Sequence, residues 1–400
     1  MAKVAVLGYG TVGSGVVQVI QDNSALIEKR VGEAIEVKYI LDLRDFPGDK
    51  NEDKVVHDFN IILNDPEVSI VCETMGGVKP AYQFSKDALL AGKSVCTSNK
   101  ELVENYGPDL IKTARENGVN YLFEASVGGG IPIIRPMNTS LACEKIERIM
   151  GILNGTTNFI LTKMAKEGAS YEEVLKEAQE LGYAERNPEA DVEGHDAGRK
   201  IAILASLMTG KTVKFADVAT NGITKIDTRD FEYAAKAGKS IKLIAMAENK
   251  DDKVTALVAP FMIGADHPLN GVNGVFNAIY VTGNMLGDAM FYGQGAGKLA
   301  TASAVVSDVI ELARNKDKAL PCVWDEEKIT LADYKETERT FFVRVAATSR
   351  GEVLNVFGPS KVADLFDEEF AFVTAPMTEN EFLKKAEQVK GIIKFIRMAE

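Results

Sequence analysis

Gly8-Tyr9-Gly10-Thr11-Val12-Gly13 follows a short apolar, β-branched run, Lys3–Leu7, and opens a helical pattern running to about Glu28. In that pattern Val12, Val16, Val19, Ile20 and Ile27 fall on one side. A strand, a G-x-G-x-x-G turn and a helix in this order form the context of a dinucleotide site. Gly8 allows the tight turn, Gly10 lets the main chain approach a pyrophosphate, and Gly13 lets helix pack on strand. The helix N-terminus then offers N–H groups and the positive end of its dipole to the phosphates. The bland alternative is an empty structural turn, and the segments behind the motif weigh against it. Ile35–Leu41, Val68–Cys72, Ser94–Thr97 and Asn120–Phe123 read as strands, with helical stretches at Pro80–Ala91 and about Tyr106–Asn117. Parallel strands need such crossovers, so the first third is expected to be a doubly wound α/β sheet.

An acidic residue at the end of the second strand binds a ribose 2′-hydroxyl, whereas a basic one accommodates a 2′-phosphate. Asp42-Leu43-Arg44-Asp45 offers both, which leaves NAD and NADP open. Lys100 follows the strand Ser94–Thr97. Ligands of open α/β sheets bind beyond the carboxyl ends of strands, so Lys100 is placed toward a site, although a plain surface lysine fits equally well.

Composition bounds the class. The chain has 400 residues, enough for two or three domains, with 46% hydrophobic and 26% charged residues. Lys and Arg total 46 against 58 Asp and Glu, a net charge of −12. Nucleic-acid binding is therefore not expected, since it needs a basic face. The four cysteines form no CxxC pair, so neither a disulfide framework nor a zinc site is expected. The start carries no leader pattern and no apolar run approaches a membrane span, giving a soluble, cytoplasmic protein as the expectation.

After Glu124 the Gly-rich turn Ser126–Pro132 ends the alternation. A central α+β region follows, with strand-like runs Ile241–Ala247 and Val254–Phe261. Ser170-Tyr171-Glu172-Glu173 is a capping box for a helix whose end is marked by Gly182. Leu299–Arg314 reads as a helix behind Gly293–Gly297. The charged run Trp324–Lys328 suggests a linker, and the last 65 or so residues form a small α+β unit. The expected domains are residues 1–135, rejoined by the helix 298–316, then 136–297 and 325–400.

Asp191–Lys200 is the most informative polar segment. Asp196 and Lys200 stand four apart on one helical face, directly before Ile201–Met208, which is apolar nearly all round. An exposed pair there would be worth little. Charges at the mouth of a buried helix are costly unless paired or used, which favours a site with Lys200 exchanging a proton. Upstream, Gly182-Tyr183-Ala184-Glu185 places a carboxylate suited to an ammonium group. Asn154-Gly155-Thr156-Thr157-Asn158 reads as a loop that hydrogen-bonds a carboxylate or N-caps the next helix. His195 lacks a second ligand at metal spacing and reads as a bystander.

Six blocks together resemble homoserine dehydrogenases, in that family's order: GYGTVGSGV (8–16), TSNKELV (97–103), FEASVGGGIPI (123–133), GILNGTTNFILTKM (151–164), EAQELGYAERNPEADVEGHDAGRK (177–200) and FYGQGAGKLATASAVVSD (291–308). The resemblance covers about residues 1–316. It implies reversible reduction of aspartate 4-semialdehyde to homoserine with NAD(P)H, on the way to threonine and methionine. It gives Gly8, Tyr9, Gly10, Thr11, Val12 and Gly13, with Arg44, Lys100 and Gly297, to the cofactor. It gives Gly182, Glu185 and Asp196 to the substrate and makes Lys200 the proton donor; Thr156, Tyr183 and Asp191 are further substrate candidates, and Lys100 and Asp196 join Lys200 as catalytic ones. Glu124, Val127, Gly129 and Ile131 match a monovalent-cation site, commonly sodium, and hard oxygen ligands suit such an ion. The central region is implied to mediate a homodimer or larger assembly. His195 and Gly198 depart from the family, which has an apolar residue or Asn, and Ala, at these positions. Arg44-Asp45 corresponds to a family V-[RK]-D and favours NADP. The C-terminal unit is similar to ACT regulatory domains in strand–helix order, implying an amino-acid effector. Its D-x-x-G-x-L signature is present only as Thr348–Leu354, without the Asp. Two rival readings remain: a dehydrogenase of another small amino-acid aldehyde, and a non-catalytic NADP-binding sensor.

Overall fold

The computed structural model describes residues 1–316 and 318–399. In chain order the elements are β1 (Ala2–Leu7), α1 (Thr11–Asp22), α2 (Ser24–Val31), β2 (Ile35–Leu41), β3 (Val55–Val56), α3 (Phe59–Leu63), β4 (Val68–Glu73), α4 (Ala81–Leu90), β5 (Ser94–Thr97), α5 (Lys100–Glu116), β6 (Tyr121–Leu122), α6 (Ile134–Asn138) and β7 (Ile146–Ile152). There follow α7 (Gly155–Glu167), α8 (Tyr171–Glu180), α9 (Glu189–Val192), α10 (His195–Thr209), β8 (Ala219–Thr220), α11 (Thr228–Lys236), β9 (Lys239–Lys250), β10 (Lys253–Gly264), β11 (Phe276–Gly283), β12 (Gly287–Gln294) and α12 (Lys298–Arg314). The last are β13 (Glu338–Arg339), β14 (Phe341–Ala346), α13 (Arg350–Phe357), β15 (Lys361–Ala363), β16 (Glu369–Val373), β17 (Met377–Thr378), α14 (Glu379–Ala386) and β18 (Ile392–Ala399). Two compact units result. One comprises Met1–Ile146, Ala202–Phe215 and Gly283–Ile329; the other comprises Glu147–Ile201, Ala216–Thr282 and Thr330–Glu400.

The first unit is built on a six-stranded sheet in the order β3-β2-β1-β4-β5-β6. Its pairings are parallel. Strand order reverses between β1 and β4, which opens a crevice at their carboxyl ends. β1 is buried along almost its whole length, as a parallel strand covered on both faces must be. Helix α12 packs on the same core, with Ala302, Val305 and Val309 among Val16, Val17, Ile20, Cys72 and Cys96.

Three local expectations need correction. The single helix expected over Val12–Glu28 is two, broken at Asn23, whose neighbour Ser24 also favours a cap over a helix interior. The helix expected from Tyr106 begins at Lys100 and runs through Pro108. Proline removes the N–H that would bond the Glu104 carbonyl, and Lys214 Nζ donates to that oxygen at 3.3 Å instead. The segment from Trp324 is no loose linker. Trp324 is buried against Gly107 and donates to Thr212 Oγ1 at 3.1 Å, while Thr212 N–H donates to the Glu327 carbonyl.

In the second unit the strands run β11-β7-β9-β10-β18-β14-β16-β15, with β8 beside β10. β9 and β10 form a long hairpin turning at Asp251 and Asp252, both at positive φ. β18 joins β10 in parallel and β14 antiparallel, so the C-terminal strands extend this sheet. The strand–helix order expected of the C-terminal unit is present as β14, α13, β16, α14 and β18, with β15 added at the edge. Among the described residues no helix is long and apolar enough to cross a membrane.

Candidate active site

At the crevice edge, β1 ends at Leu7 and the chain turns through Gly8 at φ +91° into α1. A Cβ on Gly13 would lie 1.8 Å from the Gly8 carbonyl oxygen, so only glycine lets the helix start this close to the turn. The close approach is thus to the loop itself rather than to the strand. α1 has no side-chain cap and no acidic residue in its first turn, and Gly10 and Thr11 are exposed. Uncapped N–H groups at a positive dipole end fit a pyrophosphate. Tyr9 is buried: its hydroxyl accepts from Asn51 Nδ2 at 3.0 Å and its ring meets Phe46 edge-on. Its side chain is loop scaffold. Val12 is half-buried behind it.

Asp42 closes β2. Its Oδ2 accepts the Tyr9 N–H at 2.8 Å, and Arg44 donates to both carboxylate oxygens at 2.9 and 3.0 Å. The Arg44 guanidinium holds the Asp42 carboxyl well below the usual carboxylate range. His57 Nδ1 lies 2.7 Å from the Asp42 carbonyl oxygen and Nε2 3.0 Å from Asp45, contacts that raise its proton affinity. The acidic position is therefore already engaged, and two basic side chains surround it. Lys100 heads α5 directly after β5, behind the cap Asn99, whose Oδ1 accepts from Leu102 N–H at 3.1 Å. Gly297 precedes α12 at φ +119°.

Glu124 was expected to offer its carboxylate to a cation, but the side chain is otherwise employed. Oε1 accepts the N–H groups of Ile133 and Ile134 at 2.5 and 2.8 Å, and Oε2 accepts that of Arg135 at 2.7 Å. It caps the start of α6. The adjoining turn has Gly128 and Gly129 in the left-handed region, and a Cβ on Gly129 would fall 2.3 Å from the Gly295 carbonyl oxygen. Val127, Gly129 and Ile131 are buried. The Glu124 carboxylate beside this turn is thus held by three main-chain N–H groups. Among the described residues no cluster of three His, Cys, Asp or Glu could hold a metal.

The second unit gathers the polar segment. Gly194, at φ +82°, turns the chain from α9 into α10, placing Asp196 in the first helical turn and Lys200 one turn on. Both are largely buried, so the pair is not a solvated one. Lys200 Nζ donates to Asp196 Oδ2 at 2.7 Å and to the Leu153 carbonyl at 2.8 Å. An ammonium has three N–H bonds, and these two contacts use two of them. Thr156 Oγ1 donates to the Tyr183 carbonyl at 2.6 Å, and Tyr183 stacks edge-on against Phe159. Gly182 turns at φ +75° after α8, Gln179 Nε2 donates to the Glu185 carbonyl at 3.1 Å, and Glu185 is exposed. Thr156, Gly182, Tyr183, Glu185, Asp191, Asp196 and Lys200 thus belong to one unit, whereas Lys100 and the dinucleotide loop belong to the other.

Two residues that sequence reasoning did not assign stand out. Asn154 caps α7 and also donates to Asp191 Oδ1 at 2.7 Å and Asp196 Oδ2 at 3.0 Å. The second is Glu73, fully buried at the end of β4. Asn154 was legible only as part of a loop that hydrogen-bonds a carboxylate or caps the next helix; nothing local in the sequence distinguishes Glu73 from an ordinary strand-end acid.

A family model described as "Homoserine dehydrogenase, NAD binding domain" matches residues 8–124, and one described as "Homoserine dehydrogenase" matches residues 132–310. The homoserine dehydrogenase of Bacillus subtilis (strain 168) is 45% identical over 317 residues, covering 78% of this chain and 73% of that protein. The crystal structure of a homoserine dehydrogenase from Thiobacillus denitrificans superposes with a TM-score of 0.89 at 32% identity, covering 100% of this chain and 98% of that one. A hyperthermophilic archaeal homoserine dehydrogenase in complex with NADPH superposes with a TM-score of 0.66 at 28% identity, covering 80% and 99%. With family models on both sides of the Gly-rich turn and relatives alike over most of their length, the chain belongs to the homoserine dehydrogenases, NAD(P)-dependent oxidoreductases that interconvert aspartate 4-semialdehyde and homoserine.

Proposed function

We propose that Lys200 transfers the proton in this reaction, with Asp196 orienting it, and that Lys100, at the head of α5, is a second catalytic lysine. The observation that carries this is the buried ammonium on Asp196 Oδ2 and the Leu153 carbonyl. The dinucleotide, when bound, supplies the hydride to the aldehyde carbon. As the new C–H bond forms, negative charge grows on the aldehyde oxygen, and Lys200 Nζ gives that oxygen its proton. In the reverse direction the neutral amine takes the hydroxyl proton. Glu185 binds the substrate ammonium, while Thr156, Gly182, Tyr183 and Asp191 shape the seat around it, fixing the carbonyl for attack.

Arg44, exposed at the end of β2, supports a preference for NADP, since it is able to leave Asp42 for a 2′-phosphate. NADPH in the archaeal relative agrees with that choice. A sodium-class cation is assigned to the main-chain oxygens around Val127, Gly129 and Ile131. Exposed Met285, Leu286, Met290 and Tyr292, on β12 and the turn before it, support self-association of the chain. A cytoplasmic setting, and an effector at residues 325–400, rest on the family resemblance alone.

Nicotinamide absorbance with aspartate semialdehyde, run with NADPH and NADH and with and without sodium, tests the reading on the unmodified protein and on Lys200→Ala. Expected are semialdehyde-dependent oxidation, a higher rate with NADPH, and a drop of about 100-fold or more in kcat for the variant with NADPH binding intact. Near-normal turnover by Lys200→Ala removes this lysine from the mechanism.

A further inference from the structure

Resting on the assignment of Lys200 to proton transfer, we infer that Asn154 is a positioning residue for that lysine, beyond its role as a helix cap. Its amide orientation is fixed by chemistry. Oδ1 accepts from Thr157 N–H at 2.9 Å and from Thr157 Oγ1 at 3.0 Å, and only an oxygen can accept from a backbone N–H. Nδ2 therefore faces the other way. Its two hydrogens go to Asp191 Oδ1 at 2.7 Å and Asp196 Oδ2 at 3.0 Å.

The Asp196 oxygen that Asn154 holds is the one bound by Lys200, and Lys200 also donates to the carbonyl of Leu153, the residue before Asn154. A ring closes: Leu153 carbonyl, Lys200 ammonium, Asp196 carboxylate, Asn154 amide and back through one peptide. Asn154 is 6% exposed, so these contacts have little competition from water. The ring ties the start of α7 to α10, and the bond to Asp191 adds α9. It also lets two aspartates share one neutral donor. An acid at this position would add a third carboxylate, and like charges in one site favour proton uptake. His195 and Arg199 lie on the same helix as Asp196 and Lys200 and are unchanged in every variant below.

Three variants separate the cap from the ring. Asn154→Asp and Asn154→Ser keep an oxygen that caps α7, but neither has the N–H donors. Asn154→Ala loses both functions. Steady-state kcat for homoserine oxidation and semialdehyde reduction, cofactor Kd by nicotinamide fluorescence, and the pH profile of oxidation are the readouts. Asn154→Ser is expected to lower kcat about 10- to 100-fold, the scale of a small misplacement of a reacting group, with cofactor Kd unchanged. Asn154→Asp is expected to lower kcat as well and to move the acid limb of the oxidation profile up by about one pH unit, because added negative charge retains the proton. Both variants within twofold of the unmodified enzyme, with only Asn154→Ala impaired, would leave the residue a cap and overturn the inference. A Lys200→Ala enzyme with near-normal turnover overturns the underlying assignment, and the inference with it; impaired Lys200→Ala beside normal Asn154→Ser and Asn154→Asp strikes the inference alone.

Discussion

Glu73 shows how much one side chain contributes at the dinucleotide edge. It ends β4 fully buried, with Oε2 accepting from Thr97 Oγ1 at 2.5 Å and Oε1 from Met75 N–H at 2.7 Å. These contacts bind the ends of β4 and β5 just before Lys100. Burial pushes its pKa from 4.5 up to about 7, against the lowering by those hydrogen bonds. Between these two values the folded protein holds a proton that the unfolded chain has released. Stability therefore falls as pH rises through that interval and levels off above it. The interval spans about 2.5 units, which sets a ceiling of roughly 3 kcal/mol on the effect. Asp308, also raised to about 7 by burial and by Glu124, acts in the same sense. Glu73→Gln removes one of the two. Its thermal midpoint is expected to decline less between pH 5 and pH 8 than that of the unmodified protein, without becoming flat. Parallel pH curves for the two proteins would mean that Glu73 is already ionised at pH 5.

At the scale of elements, the turn between β1 and α1 depends on the absence of one methyl group. Gly13→Ala places that group 1.8 Å from the Gly8 carbonyl oxygen and 2.8 Å from Thr74 Oγ1, so the loop must open. Overpacking of this kind costs about 1–3 kcal/mol, against roughly 1 kcal/mol that alanine returns in helix propensity. The larger consequence is for ligand binding, because the N–H groups of α1 move with the loop. NADPH affinity, read by fluorescence titration, is expected to drop tenfold or more; an unchanged Kd would show that the pyrophosphate does not sit on this turn. Elements whose signals are local are legible in the sequence: the strand–glycine–helix start, the span Ile35–Leu41, and the Ser170 capping box, in which side chain and backbone answer each other over three residues. Elements decided by distant partners are not. Nothing near Pro108 announces that Lys214 will take the carbonyl its ring leaves unbonded, and nothing in Trp324–Lys328 announces that the indole lies on Gly107. The candidate site divides along the same line. The Asp196–Lys200 spacing is readable from helical period, while the amide of Asn154 reaches across 37 and 42 residues to its two acids.

For the molecule as a whole, the C-terminal strands are joined to the rest of their unit by charge as well as by the β10–β18 pairing. Arg344, on β14 and 4% exposed, donates to Glu369 through Nε and Nη2, each at 3.0 Å. Its Nη1 reaches Asp227 and Asp230, both at 2.7 Å. Those two aspartates form the capping box of α11, and Lys394 on β18 binds their other oxygens at 2.8 and 2.6 Å. One cation thus joins α11 to β14 and β16, and a second joins α11 to β18. Taking such charges out of water is expensive, and the network repays it only while every member is present. Arg344→Ala leaves Asp230 with Lys394 alone and removes from Glu369 the bidentate partner that its burial requires, with Arg229 as the remaining cation. The expected loss is about 3–5 kcal/mol, the usual cost of breaking a buried pair from one side. Hydrogen exchange locates it: amides of Phe341–Ala346 and Ile392–Ala399 should open well before those of β1 and β4, which lie in the other unit. Denaturant midpoints and exchange rates equal to those of the unmodified protein would mean that the apolar core around Phe341, Phe370, Phe372 and Phe382 holds these strands without the network.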